Sequence, residues 1–386
     1  MTAIRIAVIG GGLGGCTLAN GLLKHPHIEF DVFEGSSAFK EQGLAVGLAT
    51  NAQSALKKIG SDVHQSLEAA GGVATASTRI IMELLKPVPK HQLHVDKKLE
   101  RIEQGAELLT LHFADGSTAQ YHAVVGSDGI HSTVRKTVLA DHPDAIEPFF
   151  TGFWDVRTAV PIEVAKDAKI VDPANPSETG WVGDGGFILH QFINNGELVG
   201  CIAAAAADES YDGTQWRNPV TKEKLAKALG DRGEFGESMI KILLDQPEPF
   251  AFSQYESAKA PTYSKGPVCL MGDAAHAMTP WQGSGAGTSI EDAMTLEFLL
   301  GKVTSPSQIP AAFRAYDEIR RPRTQKVVES SREVGAAFCG KDREMGVDVQ
   351  KLSAGLQRKW DHIWSLDMDQ HLADTSAAFE RFKDKA

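Results

Sequence analysis

Three glycines near the start of the chain have the spacing of a phosphate-binding turn. Gly10, Gly12 and Gly15 follow an apolar run, residues 4–9, that is typical of a buried parallel strand. Such a turn lets backbone amides approach a pyrophosphate, which then lies at the positive end of the next helix. Glu34 lies 19 residues beyond Gly15 and ends the next predicted strand, where a carboxylate can bind ribose hydroxyls. The pattern predicts a dinucleotide site on a βαβ unit.

The composition limits the classes to which this protein can belong. The chain has 386 residues and a formal net charge of −11, which speaks against a nucleic-acid partner. No apolar run approaches the roughly 20 residues that cross a bilayer. The four cysteines show no CxxC pairing, so neither a disulfide framework nor a metal site is predicted. We therefore expect a cytoplasmic protein, a monomer or a homodimer, without a membrane span.

Hydropathy patterns separate a nucleotide-binding region from a second layer. Residues 93–122 alternate like strands joined by a hairpin, and residues 123–126 predict a short buried strand. Longer alternating segments from 149 to about 206 predict an antiparallel sheet. The charged tail, residues 351–386, predicts a helix with Trp360 and Trp364 on one face. Predicted helical regions are 13–23, 51–70, 220–244, 287–300 and, as more than one helix, 310–337.

Two further glycine-containing strings follow predicted buried strands. One reads Gly272-Asp273-Ala274-Ala275-His276-Ala277-Met278-Thr279-Pro280 and continues as Trp281-Gln282-Gly283-Ser284-Gly285-Ala286-Gly287. An acidic residue at a strand end, followed by the amides of a helix start, suits a hydroxylated chain and an electron-rich flavin edge. The other string is Gly126-Ser127-Asp128-Gly129, which precedes Val134-Arg135.

These strings resemble the FAD motifs of the single-component aromatic monooxygenases, and the likeness is closest to the fungal salicylate hydroxylase-like members. The resemblance implies that Asp273 binds the ribitol chain of FAD and that Asp128 serves both FAD and the nicotinamide cofactor. It also implies that the turn before Gly287 opens a helix toward the isoalloxazine ring. The predicted cofactor-binding residues are Gly10, Gly12, Leu13, Gly14, Gly15, Glu34, Ala45, Arg79, Asp128, Asp273, Gly283, Gly285, Ala286 and Gly287.

The resemblance also implies a fold and a division of the chain. We expect an α/β protein with a Rossmann-like FAD-binding domain of the para-hydroxybenzoate hydroxylase type, an antiparallel substrate sheet and C-terminal helices. The expected parts are FAD-binding residues 1–148, mainly substrate-binding residues 149–262, FAD-binding residues 263–340 and a tail, residues 341–386.

One part of the chain departs from the family pattern. Only residues 71–78 precede Arg79-Ile80-Ile81-Met82, where the family carries Arg-Ala-Asp-Leu after a longer stretch. We therefore expect a shortened substrate-sheet insertion near 71–95, with Ile81 in place of the family's Asp. This departure places full activity in question.

The activity that the resemblance implies is hydroxylation of a phenolic or related aromatic acid. NADH or NADPH reduces FAD, a peroxyflavin forms with O2, and its distal OH is transferred to the aromatic substrate. Trp281, where bacterial salicylate hydroxylases more often carry histidine, and Pro280 are expected to shape the flavin–substrate interface. His190 on an alternating strand can accept a phenol proton, although an outward-facing or satisfied histidine fits equally well. Arg157 is a candidate for attracting a substrate carboxylate or for a structural ion pair.

Two alternatives remain open at the level of sequence. One is a flavin-dependent reductase or halogenase on the same fold, although the stretch Phe153-Trp154-Asp155-Val156-Arg157 lacks the WxWxIP segment of halogenases. The other is a flavin-binding protein that has lost hydroxylation, which the shortened segment after Gly72 supports.

Overall fold

A computed structural model describes residues 3–40, 47–69, 80–171 and 179–384. The strands are β1 (Ile4–Ile9), β2 (Ile28–Phe33), β3 (Leu93–His94), β4 (Leu99–Gln104), β5 (Leu109–Phe113), β6 (Thr118–Tyr121), β7 (Ala123–Gly126), β8 (Pro148–Pro161), β9 (Thr179–Val182), β10 (Gly186–Ile193), β11 (Leu198–Ala206), β12 (Arg217–Pro219), β13 (Phe250–Ser257), β14 (Ser264–Lys265) and β15 (Val268–Leu270). The helices are α1 (Leu13–Leu22), α2 (Thr50–Ile59), α3 (Ser61–Ala69), α4 (Ile80–Leu85), α5 (Thr133–Val138), α6 (Ile162–Asp167), α7 (Lys222–Leu229), α8 (Gly233–Leu244), α9 (Asp273–His276), α10 (Gly285–Lys302), α11 (Ile309–Phe338), α12 (Val349–Leu356), α13 (Asp361–Trp364) and α14 (Met368–Lys383).

A mainly parallel sheet forms the first layer, in the order β14-β15-β7-β1-β2-β3. Strand β1 pairs in parallel with β2 and β7, and β15 pairs in parallel with β7. These strands are short and rich in apolar residues, and β7 and β15 are buried along their whole length, as covered parallel strands require. Because β1, β7 and β15 point the same way, the glycine motifs that follow them lie at one edge of the sheet.

An antiparallel sheet forms the second layer, in the order β12-β13-β8-β11-β10-β9. Side chains alternate across it, so one set packs under α7 and α8 while the other faces the turn at Pro280–Gln282 and the end of α11. A separate three-stranded sheet, β4-β5-β6, adjoins the parallel sheet. The expected combination of an FAD-type α/β layer, an antiparallel sheet and C-terminal helices is confirmed, whereas the domain boundaries stay predictions.

Several predicted helices have different limits in the structure. Residues 51–70 form two helices rather than one, because Gly60 adopts an extended backbone and its amide closes the last turn of α2. Residues 220–244 likewise divide into α7 and α8, and the left-handed Gly230 follows the end of α7. Conversely, α11 is one 30-residue helix that continues through Pro322. The lost backbone bond at that proline is tolerated because the buried Arg320 and Thr324 on either side anchor the helix.

The C-terminal tail and the 93–104 region also differ from the prediction. Trp360 precedes the short helix α13, so Trp360 and Trp364 do not lie on one long helix, although their rings are 6.1 Å apart. Residues 93–104 form two strands in different sheets, since β3 pairs with β2 and β4 pairs with β5. Within the described ranges, no helix has both the length and the apolar character needed to cross a membrane.

Candidate functional site

The turn after β1 requires glycine at three positions for steric reasons. Gly10 has φ = 103°, and a Cβ there would lie 2.6 Å from the Ser127 carbonyl carbon. A Cβ at Gly15 would overlap the Gly10 carbonyl oxygen, and one at Gly14 would lie 3.1 Å from the Met271 methyl group. These glycines therefore bring α1 close to the strand and to neighbouring elements.

Gly12 is different, because nothing in its surroundings explains a glycine. Its backbone is ordinary, with φ = −73°, and a Cβ built there meets no described atom within 4 Å. It stands at the N-terminus of α1, just before Leu13, and the first turn of that helix carries no acidic residue. Open space in front of unpaired helix amides fits a pyrophosphate, so the residues present here fit FAD.

Glu34 is held against the same turn. Its Oε2 accepts a hydrogen bond from the Gly11 amide at 2.8 Å, and its Oε1 accepts one from the Ser36 amide at 2.8 Å. Carboxylate oxygens have further lone pairs for ribose hydroxyls. The location at the end of β2 is that expected of a ribose-binding acid, and the role itself stays a prediction.

Asp128 forms hydrogen bonds with the start of α5, the helix that follows it. It accepts hydrogen bonds from the Ser132 hydroxyl and from the Thr133 and Val134 amides, at 2.7 and 3.2 Å for the two amides. Asp128 therefore satisfies donors at the start of α5 and keeps the turn after β7 in place. Direct binding of FAD by this carboxylate remains a prediction.

Arg135 is a residue whose importance sequence reasoning missed. It is 1% exposed, and its guanidinium donates to carbonyl groups of Ala145, Ala258, Ala274 and Ala275 at 2.6–2.9 Å. The side chain thus joins the turn after β7 to the α9 segment. An arginine at the end of the string that contains Asp128 was the available signal, but its partners Ala258, Ala274 and Ala275 lie far away in sequence.

Asp273 lies at the start of α9, after Gly272 with φ = 56°. Asp273 is exposed, and its carboxylate accepts no hydrogen bond from the described part of the chain. A free carboxylate at the edge where the glycine turns meet is suited to the hydroxyls of a ribitol chain. This role stays a prediction.

Behind Asp273, a buried ionic network supports the turn. Asp292 accepts from the Gly272 amide at 2.9 Å and from Arg320 Nε at 2.8 Å, and it hydrogen-bonds His276 at 2.6 Å. Burial alone would raise the pKa of Asp292, but His276 and Arg320 hold that pKa at about 2. Glu291 is paired with Arg320 Nη1 at 2.7 Å. Sequence reasoning missed this network, although two adjacent acids inside a mostly buried helix were a signal.

The N-terminus of α10 forms a second ligand-facing helix end. Gly283 has φ = 62° and precedes the first residue of the helix, Gly285. A Cβ at Gly287 would lie 3.3 Å from the Asn51 amide nitrogen, so this glycine permits close packing on α2. Ala286 lies between Gly285 and Gly287, and the first turn of α10 contains no acidic residue. The arrangement agrees with a helix directed at a flavin edge.

Trp281 stands in an aromatic cluster beside this helix end, formed by Phe153, Phe187, Trp281 and Phe338. The indole ring centroid lies 5.4 Å from that of Phe153 and 5.9 Å from that of Phe187. Its Nε1 is buried and has no hydrogen-bond partner among the described residues. Pro280 is exposed at the start of the same turn. The tail secures the turn, because Gln282 Nε2 donates to the Lys359 carbonyl at 2.9 Å.

The indole position depends on Gly335 of α11. A Cβ at Gly335 would lie 2.6 Å from Trp281 Cδ1, so Gly335→Ala must displace the ring. We expect this variant to fold, since alanine favours a helix by about 1 kcal/mol over glycine, and to lose coupling between NAD(P)H oxidation and product formation. The measurement is the ratio of product to NAD(P)H consumed. Lys326→Ala on the same helix, at an exposed position, is the matched control, and unchanged coupling in Gly335→Ala would contradict the assigned role of Gly335.

His190 does not join the aromatic cluster. Its ring lies 6.0 Å from Phe235 of α8, while its strand neighbours Phe187 and Leu189 face Trp281. Strand alternation places the imidazole on the α8 side of the sheet rather than beside Trp281, and its role as a proton acceptor stays a prediction. Burial also lowers the pKa of His190.

The remaining predicted residues have different outcomes. Ala45 and Arg79 lie outside the described residues. Arg157 Nε lies 3.6 Å from Asp155 Oδ1, and its guanidinium stands 4.9 Å from the Phe252 ring centroid. All four cysteines are buried.

Comparison with known proteins agrees with this site. The model of the FAD-binding domain family matches residues 44–331. A 6-methylsalicylate 1-monooxygenase of Aspergillus terreus is 33% identical over 422 positions, which cover 99% of this chain and 94% of that protein. A salicylate hydroxylase of Pseudomonas putida is 28% identical, with 96% of this chain and 94% of that protein covered. The solved structure of a salicylate hydroxylase substrate complex superposes with a TM-score of 0.82 at 28% identity, covering 97% of this chain and 98% of that one.

The fold and the glycine turns define a flavoprotein oxidoreductase with two layers. The chain belongs to the FAD-binding domain family, and within it to the FAD-dependent monooxygenases. FAD is therefore its cofactor, and NADH or NADPH is its co-substrate.

Proposed function

We propose that this chain hydroxylates a phenolic or related aromatic acid with O2 and NADH or NADPH, as a cytoplasmic monomer or homodimer. The observation that carries the proposal is the meeting of the glycine turns of β1, β7 and β15 beside the aromatic cluster. FAD, when bound, supplies the redox and oxygen-activating chemistry. The relatives named for 6-methylsalicylate and salicylate support an aromatic acid as substrate class.

The protein residues would bind, orient and shield. The α1 N-terminus at Gly12 would hold the pyrophosphate, and Glu34 and Asp273 would bind the ribose and ribitol hydroxyls. The α10 N-terminus would face the flavin ring, with Trp281 as an aromatic wall. The four rings of the aromatic cluster would exclude water from one side of the substrate ring, which favours hydroxylation over loss of peroxide.

One alternative has a specific observation in its favour. The short stretch before Arg79, residues 71–78, where the family carries a longer one, supports a flavin-binding protein that has lost hydroxylation. Such a protein would keep the glycine turns and the buried network while lacking a complete substrate pocket. It would bind FAD and consume NAD(P)H without oxygenating an aromatic compound.

The deciding experiment uses the purified holoprotein and a panel of phenolic acids. NADH and NADPH oxidation, peroxide release and product mass are measured under isotopically labelled O2. The proposal expects substrate-stimulated oxidation and a product that contains one labelled oxygen atom. Oxidation that yields peroxide alone with every compound would contradict hydroxylation and favour the alternative.

A further inference from the structure

Two buried polar side chains on the antiparallel sheet each have an oxygen without a hydrogen-bond partner among the described residues. Asp155 of β8 is 4% exposed and Gln254 of β13 is 6% exposed. Gln254 Nε2 donates to Asp155 Oδ2 at 3.2 Å. The other oxygens, Asp155 Oδ1 and Gln254 Oε1, have no hydrogen-bond partner within the described ranges. Because buried polar atoms are nearly always paired, a partner from outside the chain is expected at this place.

The position of Asp155 points to the substrate side of the sheet. Phe153 and Asp155 share a face of β8, and Phe153 packs on Trp281. Ala204, which lies opposite Asp155 in the register of β11, also belongs to the apolar group around Trp281. Trp154, by contrast, packs into the core under α7 and α8. Asp155 therefore borders the aromatic cluster rather than the structural core.

The local charges disfavour a carboxylate ligand at this point. Arg157 Nε lies 3.6 Å from Asp155 Oδ1, so the positive charge of Arg157 already has a carboxylate beside it. Burial raises the pKa of Asp155, and Arg157 opposes that rise. A substrate carboxylate beside Asp155 would meet acceptor oxygens, whereas a hydroxyl or amide would supply the donor that they lack.

A neighbouring acid shows that Asp155 is a special case on this face. Glu256, two residues beyond Gln254, pairs with Arg332 at 3.2 Å and lines a cavity of about 150 Å³ between β13, α9 and α11. Water in that cavity can satisfy its second oxygen. Asp155 does not line this cavity, and the residues around Trp281 on its side of the sheet are apolar.

We propose that Asp155, supported by Gln254, determines substrate specificity by accepting a hydrogen bond from a neutral donor group on the aromatic substrate. The preferred ring would carry a hydroxyl, hydroxymethyl or carboxamide group toward the sheet in place of a carboxylate. This inference rests on the proposed function, and among phenolic compounds it selects those whose group facing the sheet is a neutral donor.

The test compares salicylate, salicylamide and 2-hydroxybenzyl alcohol, which share a ring and differ in the donor group. Dissociation constants are measured from the change in flavin fluorescence of the holoprotein, without NAD(P)H. Wild type is expected to bind the two neutral compounds at least about tenfold more tightly than salicylate, a difference of ~1.4 kcal/mol. Asp155→Asn is expected to reduce that ratio at least about tenfold, because the charge is removed and the shape is kept.

Controls separate the possible failures. Asp184→Asn, at a carboxylate that is 80% exposed, should leave the ratio unchanged. Gln254→Met, which removes the second unmatched oxygen, tests the same site if Asp155→Asn does not fold. Equal or stronger binding of salicylate by wild type, or a ratio that Asp155→Asn does not change, would overturn the inference. If the neutral compounds bind as expected but no phenolic compound is oxygenated, the proposed function fails and the inference stands.

Discussion

Replacement of Gly12 by alanine is expected to weaken FAD binding by about 100-fold, or ~2.7 kcal/mol. The added methyl group would enter the space in front of the α1 amides, where the chain itself has no atom within 4 Å. The polypeptide should tolerate the change, because φ at Gly12 is −73°. The free energy of unfolding of the apoprotein should change by no more than about 1 kcal/mol, the value of an altered N-cap.

The measurement is the FAD dissociation constant of the apoprotein, followed by flavin fluorescence, with denaturant unfolding in parallel. Gly60→Ala is the matched control, since its Cβ would lie 3.9 Å from a Val63 methyl group and its backbone is extended. This control should bind FAD like wild type. An unchanged dissociation constant in Gly12→Ala would contradict the assignment of this turn to the pyrophosphate.

Replacement of Arg320 by methionine is expected to lower the free energy of unfolding by about 3–5 kcal/mol, as for other buried ion pairs that lose one partner. Arg320, Glu291 and Asp292 have side chains with no exposed surface, so neither carboxylate could recruit bulk water in the variant. The loss should appear at neutral pH, where both acids are ionised because their pKa values are held at about 2.

Denaturant unfolding followed by tryptophan fluorescence measures this loss. Arg314→Met is the control, because Arg314 lies on the same helix, is exposed, and contacts the Phe382 ring at 5.1 Å. We expect a change below about 1 kcal/mol there, as for a surface cation. Equal losses in the two variants would show that the buried network does not stabilise the fold.

Features that depend on near neighbours in the chain were predictable. The run before Gly10, the spacing to Gly15 and the acid at Glu34 predict a βαβ unit, and the structure contains β1, α1 and β2 there. The string around Asp273 carried the family resemblance, which the comparisons confirm. Helix limits were less predictable, since residues 310–337 were expected to form more than one helix, whereas α11 continues through Pro322 with the contacts of Arg320 and Thr324 on either side.

By itself, the sequence determined the cofactor class, because a turn, a strand and a helix start are encoded within a few residues of each other. Only the tertiary structure decided the surroundings of the site, since these depend on contacts between distant residues. Alternation along β10 allowed His190 to face either way, and packing of α8 on one side of the sheet decided it. Likewise, Arg320 meets Asp292 only because α11 folds back against α10, which brings opposite charges 28 residues apart into one buried pair.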